Sequence, residues 1–135
     1  MEKFAHYTCS VCGSEYQPGT VAYTCPEDGG NLDVILDYKS IKENISPSSL
    51  LEAKEESIWR YLPLLPVGDP GFCKTPLHSV GWTPVFQPDL LSDELNIKQL
   101  WIKDDGKNPT ASFKDRASAV VVARAKEIGA EVIVT

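Results

Sequence analysis

Two groups of residues have the types and spacing that chemistry needs. Near the N-terminus, Cys9 and Cys12 flank two residues, Cys25 stands in the same relation to Asp28, and a glycine follows each pair (Gly13, Gly29). Thiolates and carboxylates ligate divalent cations, and two turn-forming knuckles of this kind gather four ligands in the manner of a structural zinc site. Such sites are overwhelmingly Cys and His, so Asp28 is a departure. His6 is an alternative ligand, and free thiols held by packing are the alternative to any metal. The second group centres on Lys114. With Ser112 as N-cap and Asp115 completing a capping box, Lys114 is the second residue of a helix, among unpaired N–H groups at the positive end of the dipole. That field favours the neutral amine, a nucleophile able to form a Schiff base and also a base. The plainer reading is a solvated lysine with Asp115 and Arg116 in surface ion pairs. Cys73 reads as a spectator and His78 as structural.

The elements that must position these residues follow from pattern. Thr20–Thr24 and Leu32–Leu36 have strand character. Asp37–Ser46 reads as a polar connector. A helix is expected over 47–61, with Ser49 and Glu52 as a capping box, Leu51, Ile58 and Leu62 as its stripe, and Pro63 as its stop. Six prolines between Pro63 and Pro88, with Gly68, Gly71 and Gly81, predict extended chain and turns. A short helix is expected between Pro88 and Asn96. Gln99–Lys103 suits a strand, 104–111 a loop, 112–129 a helix ended by Gly129, and Glu131–Thr135 a second strand. The helix repeats Phe113, Ala117, Val120, Val121, Arg124 and Ile128 on one face, widened by Ala119, Val122 and Ala123, and so expects cover on more than one side. Strand–helix–strand at this spacing is a βαβ unit of a parallel sheet, and the fold class is α/β. The expected organisation is a zinc-ribbon-like segment over 1–38, a connector over 39–97 and a first βαβ unit over 98–135. A parallel sheet needs more neighbours than this, so the chain is expected to be the front portion of a longer protein.

The chain has 135 residues, 42% hydrophobic and 24% charged, which excludes collagen-like and wholly disordered classes. No apolar run approaches the ~20 residues of a membrane span. The N-terminus lacks a signal-peptide core, so a soluble, cytoplasmic protein with reduced cysteines is expected, without a membrane partner. A net charge of −6 argues against a nucleic-acid partner. Between Lys98 and Lys126, however, seven cations face three acids, a local balance suited to a small anionic ligand.

Asn108-Pro-Thr-Ala-Ser-Phe-Lys-Asp-Arg116 closely resembles the lysine-bearing motif of fold-type II pyridoxal-phosphate enzymes, and specifically the Asn-Pro-Thr-Gly-Ser-Phe-Lys-Asp-Arg of threonine synthases. Trp101–Gly106, Ser57-Ile-Trp-Arg-Tyr61 with Leu64-Leu-Pro66, and Val80-Gly-Trp-Thr-Pro84 resemble flanking segments of that family, in order. The ribbon-like start is similar to that of one branch. The resemblance implies a tryptophan-synthase-β-like fold and pyridoxal phosphate as cofactor, with Lys114 as both the Schiff-base and proton-shuttling residue. It also implies conversion of the small amino-acid substrate O-phospho-L-homoserine and water to L-threonine and phosphate, within threonine biosynthesis. Ser112 and Asp115 would position the lysine, Arg116 and Asn108 would contact an anion, and the full-length protein would be a homo-oligomer.

Three departures stand out: Ala111 for the usual glycine, Trp82 for asparagine, and Asp28 for the fourth cysteine. Alanine at 111 is harmless if φ is negative and costly if it is positive. The family's Ser/Thr-Gly-Asn loop and glycine-rich phosphate loop are not among these residues, so this stretch by itself is expected to be inactive. Alternatives are another fold-type II lyase, namely a threonine or serine dehydratase or a sulfonate-forming relative, and a non-catalytic ribbon-type binding module.

Overall fold

Aromatic and β-branched residues dominate Phe4–Cys9, which forms strand β1 at the centre of a three-stranded antiparallel sheet, flanked by β2 (Glu15–Tyr16) and β3 (Leu32–Leu36). The computed structural model describes residues 4–21, 23–71 and 73–134. The chain divides into two units, Met1–Ala53 with Tyr61–Gly68, and Lys54–Arg60 with Asp69–Thr135.

In the first unit, Cys9 pairs with Leu32 and Tyr7 with both Tyr16 and Val34, so the sheet register sets the first knuckle beside the start of β3. The expected strand over Thr20–Thr24 is reduced to isolated bridges, Pro18 with Val21 and Thr24 with Asn31, and Ala22 lies outside the described residues. The polar connector folds instead as helix α1 (Tyr38–Asn44): Asp37 accepts from the Ser40 N–H at 3.0 Å, and Ile41 is buried. Helix α2 is confined to Pro47–Glu52. Its capping box is Ser46 with Ser49 and not Ser49 with Glu52, because Pro47 suits the first helical position and makes Ser46 the cap. The expected helix does not continue to Tyr61. In the second unit's segment Lys54–Arg60, buried Ser57 accepts from the Trp59 N–H at 3.1 Å and donates to Glu55 at 2.6 Å, a local alternative to helical bonding. A 3-10 helix then runs over Ile58–Leu64 with Pro63 inside it.

In the second unit, Pro76–Ser79 is a 3-10 turn and Asp89–Glu94 is helix α3, within the expected bounds. Strand β4 (Val85–Phe86) pairs antiparallel with β5 (Ile102–Lys103), Val85 opposite Lys103. Helix α4 (Asp115–Glu127) ends as expected at Gly129, with φ +67°. The Ala130 N–H reaches the Ala125 carbonyl at 2.9 Å and the Gly129 N–H the Lys126 carbonyl at 3.2 Å, a Schellman closure. The buried residues of α4 are Asp115, Ala119, Ala123 and Ala125, the first three spaced by four, whereas Val121 within it and Phe113 and Ile128 beside it are exposed. Small alanines permit close backbone approach, and the helix turns them inward in place of the larger residues.

The described residues do not form the parallel βαβ unit expected over 98–135. β5 is antiparallel to β4, and 131–134 is not a strand. Thr135 lies outside the described residues. A strand exists only through a ladder partner, and Val132 and Val134 remain 75% and 90% exposed. No helix among the described residues is long and apolar enough to cross a membrane.

Candidate active site and metal-ligand cluster

Lys114 lies on the wall of a cleft of about 310 Å³. One side is apolar, from Pro76, Leu77 and Val80. The other is the turn and first helical residues from Pro109 to Ser118, carrying the Thr110 and Ser112 hydroxyls with Lys114. The helix begins at Asp115, so Lys114 is its N-cap and not its second residue, with φ −65° and ψ −20°. Ser112 still acts on it, its hydroxyl accepting from the Lys114 N–H at 3.2 Å. Asp115 makes no capping box. Its buried carboxylate accepts from the Thr110 N–H at 2.8 Å and from the Thr110 hydroxyl, closing the turn that leads to Lys114. The Lys114 amine enters none of the ion pairs among the described residues. Ala111 has φ +56°, the conformation in which alanine for glycine is costly.

Arg116 and Asn108, expected as anion contacts, are committed within the chain. Arg116 grips Asp105 bidentately, Nε to Oδ2 at 2.8 Å and Nη2 to Oδ1 at 2.7 Å. The same Nη2 donates to the Gly81 carbonyl at 3.1 Å and to Thr83 Oγ1 at 3.2 Å. Asn108, 4% exposed, accepts from the Gly81 N–H at 2.9 Å and donates to the Asp105 carbonyl at 3.1 Å. Thr83 donates to Asp105 at 2.6 Å, and Lys103 donates to the Thr83 carbonyl at 2.9 Å. Arg116 above all, and Thr83 after it, hold the Asp105 carboxyl well below the usual carboxylate range. Gly81 has φ +97°, and a Cβ there would lie 2.9 Å from Arg116 Nη1 and 3.1 Å from Ile58 Cβ. Sequence reading missed this clasp and the apolar cleft wall, because their residues are scattered between 76 and 116. Gly81 within Val-Gly-Trp-Thr-Pro was the one visible signal.

In the first unit, ligand atoms of Cys9, Cys12, Cys25 and Asp28 all lie within 4.8 Å of one another. Both knuckles close alike, the Gly13 N–H reaching Cys9 O at 3.0 Å and the Gly29 N–H reaching Cys25 O at 2.9 Å. Cys12 Sγ is 3.7 Å from Cys25 Sγ, and Cys9 Sγ is 3.4 Å from Asp28 Oδ1. Four ligands around tetrahedral zinc at ~2.3 Å stand roughly 3.8 Å apart, so the set fits the ion. Gly30 completes the cradle, since a Cβ there would lie 2.9 Å from both Cys9 Sγ and Asp28 Oδ1. The Gly30 N–H, at 2.7 Å, lowers the Asp28 pKa, with the Cys12 thiol adding to it. At Cys25, burial is outweighed by the Tyr16 hydroxyl at 3.1 Å and by backbone N–H groups, so the thiol is lowered. Cys12 is pushed up to about 11: its bonds with Ser14 lower it, but burial together with the Asp28 and Cys9 neighbours outweighs them. His6 is not in the cluster, as it faces Glu15 at 3.6 Å. Cys73 is an exposed free thiol, and His78 has a partner in Glu55 at 3.3 Å.

Residues 77–135 match the family described as pyridoxal-phosphate-dependent enzymes. The threonine synthase of Methanocaldococcus jannaschii is 44% identical over 125 residues, covering 93% of this chain and 30% of that protein. This chain resembles the N-terminal portion of a threonine synthase. The Methanosarcina acetivorans threonine synthase is 42% identical over 125 residues, covering 92% of the chain and 29% of the relative. The threonine synthase of Bacillus sp. strain ULM1 is 43% identical over 77 residues, covering 56% and 20%. The chain therefore spans about 30% of the length of the first two threonine synthases. No solved structure matches it. Among the threonine-synthase-like features, Lys114 and both cleft walls except Pro76 fall inside the family-matched residues.

Proposed function

We propose that the whole gene product is a pyridoxal-phosphate-dependent threonine synthase converting O-phospho-L-homoserine and water to L-threonine and phosphate. The observation that carries the reading is Lys114, a lysine outside the ion-pair network, on a cleft within the family-matched segment. A half-apolar cleft with hydroxyls from Thr110 and Ser112 beside one amine suits a planar aromatic aldehyde bearing polar substituents. When bound, pyridoxal phosphate supplies the electron sink that makes protons at the substrate's Cα and Cβ labile. Lys114 Nζ would hold the cofactor, and the same amine would carry protons at those carbons. Ser112 orients the Lys114 backbone, and Asp115 holds Thr110 so that the turn keeps its shape. Asn108 and Arg116 act on the chain itself.

In the first unit, Cys9, Cys12, Cys25 and Asp28 hold zinc in a structural role, joining the two knuckles of a ribbon. The reading extends to a parallel βαβ unit in the whole protein, to a homo-oligomer, and to a cytoplasmic enzyme without nucleic-acid or membrane partners. The acidic net charge of −6 supports the absence of a nucleic-acid partner.

The test is borohydride reduction of the native gene product followed by peptide mass spectrometry. A pyridoxyl adduct on Lys114, with phosphate released from O-phosphohomoserine, supports the proposal. An unmodified Lys114 overturns it. Ammonia from threonine without phosphate release assigns a dehydratase instead.

A further inference from the structure

Gly81 is held at both its N–H and its carbonyl by residues that flank Lys114 in sequence. Asn108 accepts its N–H at 2.9 Å, and Arg116 donates to its carbonyl at 3.1 Å. Gly81 directly follows Val80 and Arg116 directly follows Asp115, and both Val80 and Asp115 line the cleft. The polar clasp therefore ties together the two chain segments that line the cleft, 76–80 and 109–118.

Arg116 spends three of its donor directions on fixed acceptors, Asp105 takes its fork, and Thr83 bonds to both. The backbone has been shaped to receive the guanidinium, since Gly81 takes a positive φ and leaves no room for a Cβ beside Arg116 Nη1. A bidentate pair fixes direction as well as distance. Because Arg116 lies in the first turn of α4, two residues after Lys114, that direction is imposed on the turn carrying the amine.

We infer that Arg116, oriented by Asp105 and seated on Gly81 and Thr83, is the positioning residue for Lys114: it sets where the amine stands against the Pro76–Val80 wall. The inference rests on the proposed role of Lys114, while assigning Arg116 a task other than anion binding. Lysine at 116 keeps the charge and loses the fork, asparagine at 105 keeps the shape and loses the charge, and valine at 83 removes only the hydroxyl.

The experiment uses the whole gene product, with Arg116→Lys, Asp105→Asn and Thr83→Val compared with the parent. Three quantities are read: the pH midpoint for borohydride trapping of pyridoxal phosphate on Lys114, the split between kcat and KM for O-phosphohomoserine, and circular dichroism to establish folding. Misplacing a reacting amine by a fraction of an ångström to an ångström lowers kcat by about tenfold to hundredfold with KM little changed. The expected result is such a fall in Arg116→Lys and Asp105→Asn, a moved trapping midpoint in both, and a smaller effect of the same kind in Thr83→Val. Folded variants with the parent's kcat and trapping midpoint overturn the positioning role while leaving the Lys114 assignment intact. A selective rise in KM overturns it too, because that marks Arg116 as a substrate contact. A parent protein that is never trapped at Lys114 overturns both readings. If the two charged-pair variants do not fold, Thr83→Val decides by the same measurements.

Discussion

Ala111 is the residue whose replacement tests the site's backbone most directly. Its φ of +56° places a Cβ-bearing residue in the left-handed region, three residues before Lys114. There the Cβ crowds the following carbonyl, at roughly 1–2 kcal/mol. Glycine removes that strain but brings greater freedom to the unfolded chain, which offsets roughly 0.4–1 kcal/mol. The net expectation for Ala111→Gly is a stabilisation of about 0.5–1 kcal/mol. The hydrogen bond from the residue 111 N–H to Asn108 O, 2.8 Å long, belongs to the backbone and survives the change. The assay is urea unfolding of the whole gene product. With a slope near 2 kcal/mol/M, the midpoint rises by about 0.2–0.5 M while the slope stays constant. Ala117→Gly is the control, an exposed position inside α4 with ordinary helical backbone, where glycine lowers stability by about 1 kcal/mol. Opposite signs from the same chemical change are the signature of the two backbone conformations. A neutral or destabilising Ala111→Gly beside a destabilising Ala117→Gly would refute the reasoning, since residue 111 would then have right-handed or extended backbone.

The same logic with the sign reversed applies to Gly81→Ala. Positive φ and a Cβ 2.9 Å from Arg116 Nη1 combine to lower stability by more than about 1 kcal/mol, and the urea midpoint falls accordingly. Asp105 has a depressed folded-state pKa, so its contribution is present above the unfolded carboxylate value near 3.9 and is lost as pH falls toward the folded one. Acid unfolding followed by circular dichroism therefore loses part of its pH dependence below about pH 4 in Asp105→Asn, and an unchanged acid limb would count against the pairing. Asp28→Cys supplies a fourth thiolate to the cluster, and competition with a chelator should show tighter zinc retention, whereas Cys25→Ser should lower the bound zinc per chain.

What could be read from sequence, and what could not, divides by the range over which each feature acts. The knuckles were legible because each is a local turn, and the bonds Gly13 to Cys9 and Gly29 to Cys25 span only four residues. Helix α3 and the Gly129 stop were legible for the same reason. Helix α1 was not, because it is short and mostly polar, and its signals are one capping aspartate and one buried isoleucine. The expected strand over 131–135 is a statement about a ladder partner, which a five-residue apolar run does not contain. Arg116 is the clearest case in the site. The motif marks it, but its acceptors on Asp105, Thr83 and Gly81 lie 11, 33 and 35 residues away, and only the folded chain turns it from an anion-binding candidate into a clasp. Departures from a family pattern behave in the same way. Alanine for glycine at 111 is trivial or costly according to a dihedral angle that its letter does not carry. Aspartate for cysteine at 28 keeps or loses a metal according to whether its carboxylate meets the three thiols, and it stands 3.4 Å from Cys9 Sγ. The substitutions therefore point to where measurement discriminates best, because each has an outcome set by one geometric quantity.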